Sequence, residues 1–498
     1  MRSSHSLDRV DTAFDGTQLV ADAGLLLPAT LAEHLGLKEL VGKYLHLGKA
    51  PGRANVGDKL LTLVMAALAG GECIDDAGAL GAGSTARVLG FAVKAASTLG
   101  TFLRSFRWGH VRQLDAVSRH LLARAWGAGA GPGTAPFTID LDSTICETYG
   151  LKKEGALHHG YTKVRGYHPL LAVAADTGDV LMARLREGRA ATVRGAAHFL
   201  REPVGRVRAA GAAGELTMRA DSGFYAHAVV AACRAMDVRF SITARFHGHK
   251  LRNLIEAIPE SDWTPIPYWI EGGADVAELT WTPFADERDA VPVRLIVRRV
   301  RPKEGSQLAL LTLYDYHPFI TDRAGDMLTL EADHRRHAEI ENAIRDLKYG
   351  MGLNHLPSGR FAANAAWLVV QVIATTSPAG QAGSGSVRAS SRPRRFGGGC
   401  SACPAGSPAR LAGSRSTCRS TGPGPPSSRP PSRDFGRSRC SPDRPAVPWP
   451  RRGPASARAG TGRGWPVTPR EPPSAIPRPR STHPGAPHGR RAGHPGLR

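Results

Sequence analysis

Three carboxylates, far apart in the chain, sit where divalent-cation chemistry would want them. Asp142 ends the segment Phe137–Asp142 (FTIDLD), and Asp221 ends Leu216–Asp221 (LTMRAD). Both segments alternate apolar and polar residues with the period of a strand. Glu341 lies within His334–Lys348 (HRRHAEIENAIRDLK), which has the period of a helix. Hard divalent cations take oxygen ligands and assist phosphoryl transfer. Asp140 competes with Asp142 on the same strand face, but Asp142 is nearer the strand end and leads into the polar pair Ser143-Thr144. Asp221 precedes Ser222-Gly223-Phe224-Tyr225, so capping a helix is its ordinary alternative.

At about 100° per residue, His334, His337, Glu341, Arg345 and Lys348 fall on one helical stripe. Ile340, Ala343, Ile344 and Leu347 lie beside it and are expected to pack on a sheet. A solvated charged face usually interleaves signs at i,i+4. Here Glu341 stands alone among groups that are or can be cationic, which suits a metal-binding acid next to a phosphate backbone. Glu339 points away from the stripe, so Glu341 is the preferred acid.

The elements that must position these acids follow from periodicity. Residues 1–130 read as mostly helical, with helices over Leu25–Tyr44, Asp58–Ala69 and Arg107–Ala125. Gly127–Pro136 (GAGAGPGTAP) reads as a hinge and domain boundary. Strands are expected at 137–142, 168–174, 179–185, 216–221 and 238–244, with helices at 191–202 and 225–236. The order predicts an α/β fold with a mixed sheet flanked by helices. Strands at Ala277–Trp281, Val291–Val300 and Leu308–Tyr314 then suggest a β-rich insertion at about 246–325. Ala365–Ala374 (AAWLVVQVIA) reads as a buried helix at the end of a domain over 137–375, with nothing after it to cap that domain.

The net charge of +22 belongs almost wholly to the end of the chain. Residues 376–498 hold 22 Arg, no Lys and three acids, a net of +19, leaving +3 for the rest. Any nucleic acid must therefore meet the body through local patches. The same segment carries 23 of the 37 Pro and no apolar periodicity, so disorder is expected there. Such a composition is what a wrong reading frame of GC-rich DNA tends to encode, and a frameshifted tail is the expectation, against a real basic tail. Cysteine is sparse and unpaired in the body (Cys73, Cys146, Cys233), which points to a reducing, cytoplasmic setting. No apolar run is long enough to span a bilayer, so no membrane partner is expected.

With these residues in place, the chain resembles the insertion-sequence transposases of the DDE type, with a ribonuclease-H-like core. One branch carries Tyr-x2-Arg-x3-Glu-x6-Lys on the helix of its third acid. The same spacing here gives His334, His337, Glu341 and Lys348, so acid and Lys match while both other positions are His. Asp142-Ser143-Thr144 and Arg219-Ala220-Asp221-Ser222-Gly223-Phe224 are similar to the motifs of the first and second acids. Tyr161–Leu170 (YTKVRGYHPL) and Arg184-Leu185-Arg186-Glu187-Gly188 also resemble this group, and the likeness covers about residues 15–374.

The resemblance implies transposition of the element's own DNA. Asp142, Asp221 and Glu341 would hold two ions, Mg2+ or Mn2+, that clamp the attacking and leaving oxygens. His334, His337, Arg345 and Lys348 would hold phosphates near the scissile bond, as would Lys163 and Arg165, whose ordinary alternative is surface charge. Partners would be double-stranded DNA, as terminal inverted repeats and as target, and a second copy in an active homodimer. The helical N-terminal region would recognise DNA ends, and the protein would associate with the bacterial nucleoid. A nuclease on the same core that cuts without joining, or an inactive DNA-binding remnant, are the alternatives.

Overall fold

The computed structural model describes residues 19–49, 52–268, 273–301 and 314–379. Asp142 and Asp221 end adjacent strands of its main sheet. Strand β1 (Phe137–Ser143) pairs in parallel with β7 (Leu216–Ala220), with Asp140 opposite Arg219 and Leu141 opposite Ala220. The next position along each chain is Asp142 and Asp221. Alternation sends Phe137, Ile139, Leu141, Leu216, Met218 and Ala220 into one core. The other face therefore carries Thr138, Asp140 and Asp142 beside Thr217, Arg219 and Asp221.

The remaining strands build outward from this pair. They are β2 (Cys146–Glu147), β3 (Leu157–His158), β4 (Arg165–Tyr167), β5 (Leu170–Ala174), β6 (Val180–Arg184) and β8 (Arg239–Thr243). Later come β9 (Thr264–Ile266), β10 (Ala274–Trp281), β11 (Val293–Val300) and β12 (Asp315–Thr321). Among the described residues the main sheet has nine strands in the order β6-β5-β1-β7-β8-β12-β11-β10-β9. β5 runs antiparallel to β1, β8 parallel to β7, and β12 antiparallel to β8. A small sheet of order β2-β4-β3 stands at the exit of β1. The β-rich insertion is thus an extension of the main sheet. Of the strand expected at Leu308–Tyr314, residues 308–313 lie outside the described residues, and the strand seen starts at Asp315.

The helices before the hinge are α1 (Leu26–His34), α2 (Leu37–Tyr44), α3 (Val56–Leu68), α4 (Thr85–Val88), α5 (Ala96–Arg104) and α6 (Trp108–Ala125). The single helix expected over Leu25–Tyr44 is broken at Gly36, which has φ +65°, and a Cβ there would lie 2.2 Å from Arg124 Nη1. Helices α7 (Ala196–Ala209) and α8 (His227–Ala235) cover the apolar face of β1 and β7 through residues such as Phe199, Val204 and Val230. α7 runs past Pro203, where the sequence predicts an end at 202. The burial of Phe199, Leu200, Val204 and Val207 outweighs the hydrogen bond that Pro203 forfeits. A short α9 (Lys250–Glu256) follows β8.

The third acid belongs to α10 (Met327–Arg335) and α11 (Ile340–Arg345), joined by a 3-10 turn over Arg336–Glu339. Asp326 caps α10 by accepting from Thr329 N at 2.9 Å. The last described helix, α12 (Phe361–Ala379), is the hub of a second core. That core joins α12 residues such as Trp367, Leu368 and Val370 to Leu60 and Leu63 of α3, Leu114 and Val117 of α6, and Ile340 and Leu347.

Residues 127–136 are consequently not a boundary between independent cores, because helices on both sides of them share this cluster. The tail expected over 376–498 lies outside the described residues from 380 onward. Among the described residues, no helix is long and apolar enough to cross a membrane. A chain lacking residues 1–126 would expose the α12 face that meets α3 and α6. It is expected to aggregate and to lose cooperative thermal unfolding, read by size-exclusion chromatography and circular dichroism, while the full chain melts in one transition.

Candidate active site

Beneath the two acids lies a buried ion pair. Arg219 grips Asp140 with two hydrogen bonds, Nε to Oδ1 at 2.7 Å and Nη2 to Oδ2 at 2.8 Å. Both side chains are sealed, at 0% and 1% exposure. Isolated charges at such a depth would be costly, so each needs every partner it can reach. Arg219 Nη1 also donates to the Asp333 carbonyl and, at 3.1 Å, to its Oδ1, while Arg323 holds the other Asp333 oxygen. His337 Nδ1 donates to Asp140 Oδ1 at 2.9 Å. Burial pushes the Asp140 carboxyl upward, but the bonds from Arg219 and His337 outweigh it and hold it below the ordinary range. Asp140 is therefore spent on this network, and Asp142 is the acid left at the strand end.

Asp142 has the opposite electrostatics. Burial raises its pKa to about 6, against the Ser143 amide and His337, and the charges of Asp221 and Glu341 raise it further. Asp142 thus feels the charges of both other acids. Asp142 Oδ1 accepts from Ser143 N at 2.6 Å, and Asp221 Oδ1 accepts from Gly223 N at 2.9 Å. Each spends one oxygen on its own turn. Glu341 is exposed and has no hydrogen-bond or ion-pair partner among the described residues. Glu339 instead pairs with Arg336 at 3.3 Å. Among the described residues, no three His, Cys, Asp or Glu side chains already converge on a metal position. The donor set nevertheless fits a hard divalent cation: carboxylates alone, with oxygens to spare and a mutual repulsion that a cation would relieve.

The expected cationic stripe is split. His334 Nδ1 is hydrogen-bonded with Ser241 Oγ at 2.8 Å and Nε2 with Thr243 Oγ1 at 3.0 Å, and the ring stacks on Phe319 at 4.1 Å. Burial, then the charges of His337 and Arg219, hold its pKa well below the usual value. His334 and His337 thus face the sheet, a correction to their expected place on a phosphate-holding surface. The tight turn at Arg336–Glu339 has about three residues per turn, which shifts the helix phase between them and Glu341. Arg345 stays exposed, with Asp346 at 3.5 Å. Lys348 Nζ donates to Ile145 O at 3.0 Å, stitching this helix to the chain just past Asp142. Ile340 and Leu347 join the core that holds α12, the N-terminal helices and the β5 and β6 residues Leu171, Val173 and Val180, not the core of the β1 and β7 apolar face.

Lys163 and Arg165 lie on the small sheet and its turn. Lys163 is exposed at φ +60° and donates to Gly160 O at 2.6 Å. Arg165 donates to Gly150 O and Leu151 O, which makes it a clamp on that loop. A loop over 186–194 completes the surroundings. Arg186 donates to the carbonyls of His168, Ala191, Thr192 and Arg194. A Cβ at Gly188 would lie 2.1 Å from Leu157 O and 2.2 Å from Gly166 O, so only glycine lets this loop lie against the small sheet. Thr192 Oγ1 lies 3.2 Å from Ser143 Oγ, which is itself 3.0 Å from His168 Nε2.

Arg219, Asp333 and Arg323 are the site residues that sequence reasoning missed. Arg219 carried a signal, since it sits two residues before Asp221 just as Asp140 sits two before Asp142.

The family model for the transposase DDE domain group 1 matches residues 3–377, and the chain belongs to that family. It is a DDE transposase, a metal-dependent enzyme that cleaves DNA. No curated protein matches the chain. Among solved structures it is similar to a piggyBac transposase synaptic complex with hairpin DNA, seen by cryo-electron microscopy. That likeness is 12% in sequence over 72% of this chain and 74% of that one, with a TM-score of 0.39.

Two outcomes test this geometry. Arg219→Met strands Asp140 and Asp333 and should cost about 3–5 kcal/mol in urea unfolding; adding Asp140→Asn should recover part of that. Asp142 has a folded pKa raised to about 6, so its contribution is favourable below the ordinary carboxylate range and is lost as pH rises toward 6. Asp142→Asn should therefore raise the melting temperature of the metal-free protein above pH 6 and change it little at acid pH.

Proposed function

We propose that this transposase cleaves the ends of its own insertion sequence and joins them to target DNA, using Asp142, Asp221 and Glu341 to hold two divalent cations. The observation that carries this reading is the register of β1 and β7. It leads to two carboxylates side by side at the ends of parallel strands, with a third whose charge reaches the first. Neighbouring strands are about 4.8 Å apart, a spacing over which two acids can share ions. The core strand order, β6-β5-β1-β7-β8 with only β5 antiparallel to its neighbours in that run, supports a ribonuclease-H-like core.

Bound Mg2+ or Mn2+ would supply Lewis-acid stabilisation of the attacking and leaving oxygens. The chain's own groups do the positioning. Asp142 and Asp221 offer the oxygens not used by Ser143 N and Gly223 N, and Glu341 offers both of its own. Asp142 must be ionised to do so, so its cation affinity rises as pH climbs through about 6. Arg345 and Lys163, both exposed, hold phosphates of the DNA backbone without reading sequence. Lys348 and Arg165 hold the backbone on which those contacts sit, and His334 and His337 hold the helix of Glu341 to the sheet. The active unit is a homodimer on double-stranded DNA carrying terminal inverted repeats, with the helices before residue 127 contributing to end recognition.

The test is a nicking and strand-transfer assay with Mg2+ or Mn2+ on DNA that includes the element's ends. Alanine at Asp142, Asp221 or Glu341 should each lower both steps at least about a thousandfold, while Glu339→Ala leaves them within a few fold. Hydrolysis of pre-cut ends without joined product would replace this reading with a nuclease. Unchanged nicking in Asp142→Ala would overturn the acid assignment.

A further inference from the structure

We propose that the loop tips beside the Asp142 strand end form a stacking platform for unpaired DNA bases, with Tyr149 and Tyr161 as its two faces. The proposal rests on the DNA-cleaving reading above and adds the state of the DNA that the site receives. Tyr149 is 82% exposed, Leu151 90% and Tyr161 91%. The two tips leave the same end of the small sheet, since Thr148 N donates to Arg165 O and His158 pairs with Arg165, and exposed apolar side chains gathered at one place mark a contact site.

These tips are built, not slack. Tyr161 crowns a turn in which Lys163 N donates to His159 O at 3.0 Å and His159 N to Val164 O at 2.8 Å. Thr162 N also donates to His159 Nδ1, at 3.3 Å. The tip bearing Tyr149 and Leu151 is held by Arg165, which donates to Gly150 O and Leu151 O. Backbone held this firmly, with the aromatic ring pointing out, lowers the ordering cost of a partner that stacks on it.

The platform is anchored to the acid site. The His159 ring packs edge-on against His168 at 4.8 Å, and His168 Nε2 lies 3.0 Å from the hydroxyl of Ser143, the neighbour of Asp142. A further aromatic, Tyr349, is 69% exposed and follows Lys348, which is bonded to Ile145 of the same strand exit. Charge selects the occupant. Exposed Lys152 and Lys163 flank the tyrosines, which suits a polyanion. An aromatic face accepts any base, but only one whose own face is open, so the ligand is DNA frayed or single-stranded beside the scissile phosphate.

The experiment compares binding of the full-length protein to a blunt duplex and to the same duplex with a short single-stranded 3′ extension carrying 2-aminopurine. The parent should prefer the extended probe and quench its fluorescence. The Tyr149→Ala/Tyr161→Ala double variant should lose affinity for the extended probe about tenfold more than for the blunt one, and lose the quenching. Tyr161→Trp should keep both. Equal loss on the two probes, or no loss on either, overturns the platform. So does a double variant that keeps its probe preference but no longer self-associates in sedimentation, since the tips would then be an interface between copies. Metal-dependent nicking and its loss in Asp142→Ala are measured alongside: their absence with the probe preference intact would defeat the catalytic reading and leave the platform standing.

Discussion

The structure depends most on the charge pair between Asp140 and Arg219. It sits one rung below the two strand-end acids, on a sheet face that helices cover. A charge pair at that depth stabilises little by itself, because desolvation offsets most of its attraction. What it does is demand company. Arg219 has donors left over after binding Asp140, and Asp333 of α10, set down onto the sheet, accepts from them. Asp140 in turn takes His337, and Arg323 takes the remaining Asp333 oxygen. The helix that leads to Glu341 is thus docked by the unsatisfied valence of one arginine.

The same arrangement sorts the acids by role. Asp140 and Asp142 are the same residue type, two positions apart on one strand face, yet they sit in opposite electrostatic settings. The first is held down by a guanidinium and an imidazole bonded to it, while the second is pushed up by burial and then by two more carboxylates. A pair of chemically identical groups pushed apart in this way leaves one bound into the ion-pair network and the other with a free oxygen at the strand end. Glu341 and Glu339 divide similarly, since Glu339 is taken up by Arg336 while Glu341 is left open.

Much of this was legible in the residue pattern. The alternation in FTIDLD and LTMRAD gave both strands and their ends within a residue, because one face of the pair is apolar core while the other, although buried too, carries the polar network under α10. The register between them was not legible, although matching polar positions at 138/217, 140/219 and 142/221 contained it. The helix of the third acid was legible as an element, but its stripe was not. An unbroken helix keeps its phase, and a 3-10 turn at Arg336–Glu339 does not, so His334 and His337 turned inward while Glu341 and Arg345 stayed out. The hinge at 127–136 misled for another reason: glycine and proline mark a change of direction in the chain, whereas a domain boundary is set by where apolar faces find partners. Here the partner of the N-terminal helices is α12, more than two hundred residues on, which no local pattern reveals.

The insertion between the second and third acids is part of this scaffold. β12 continues the main sheet from β8, so the chain reaches α10 directly from a strand beside the His334 partners Ser241 and Thr243. β11 then holds α10 from outside, through Arg298 Nη1 donating to the nearly buried Glu331 at 2.6 Å. The helix is therefore gripped from two directions, by Arg219 of the core strands and by Arg298 of the inserted ones. On the core strands the hold is shared by Arg219 with Asp333 and by Ser241 and Thr243 with His334, and the inserted strands add theirs through Arg298 because β12 and β11 continue the core sheet from β8.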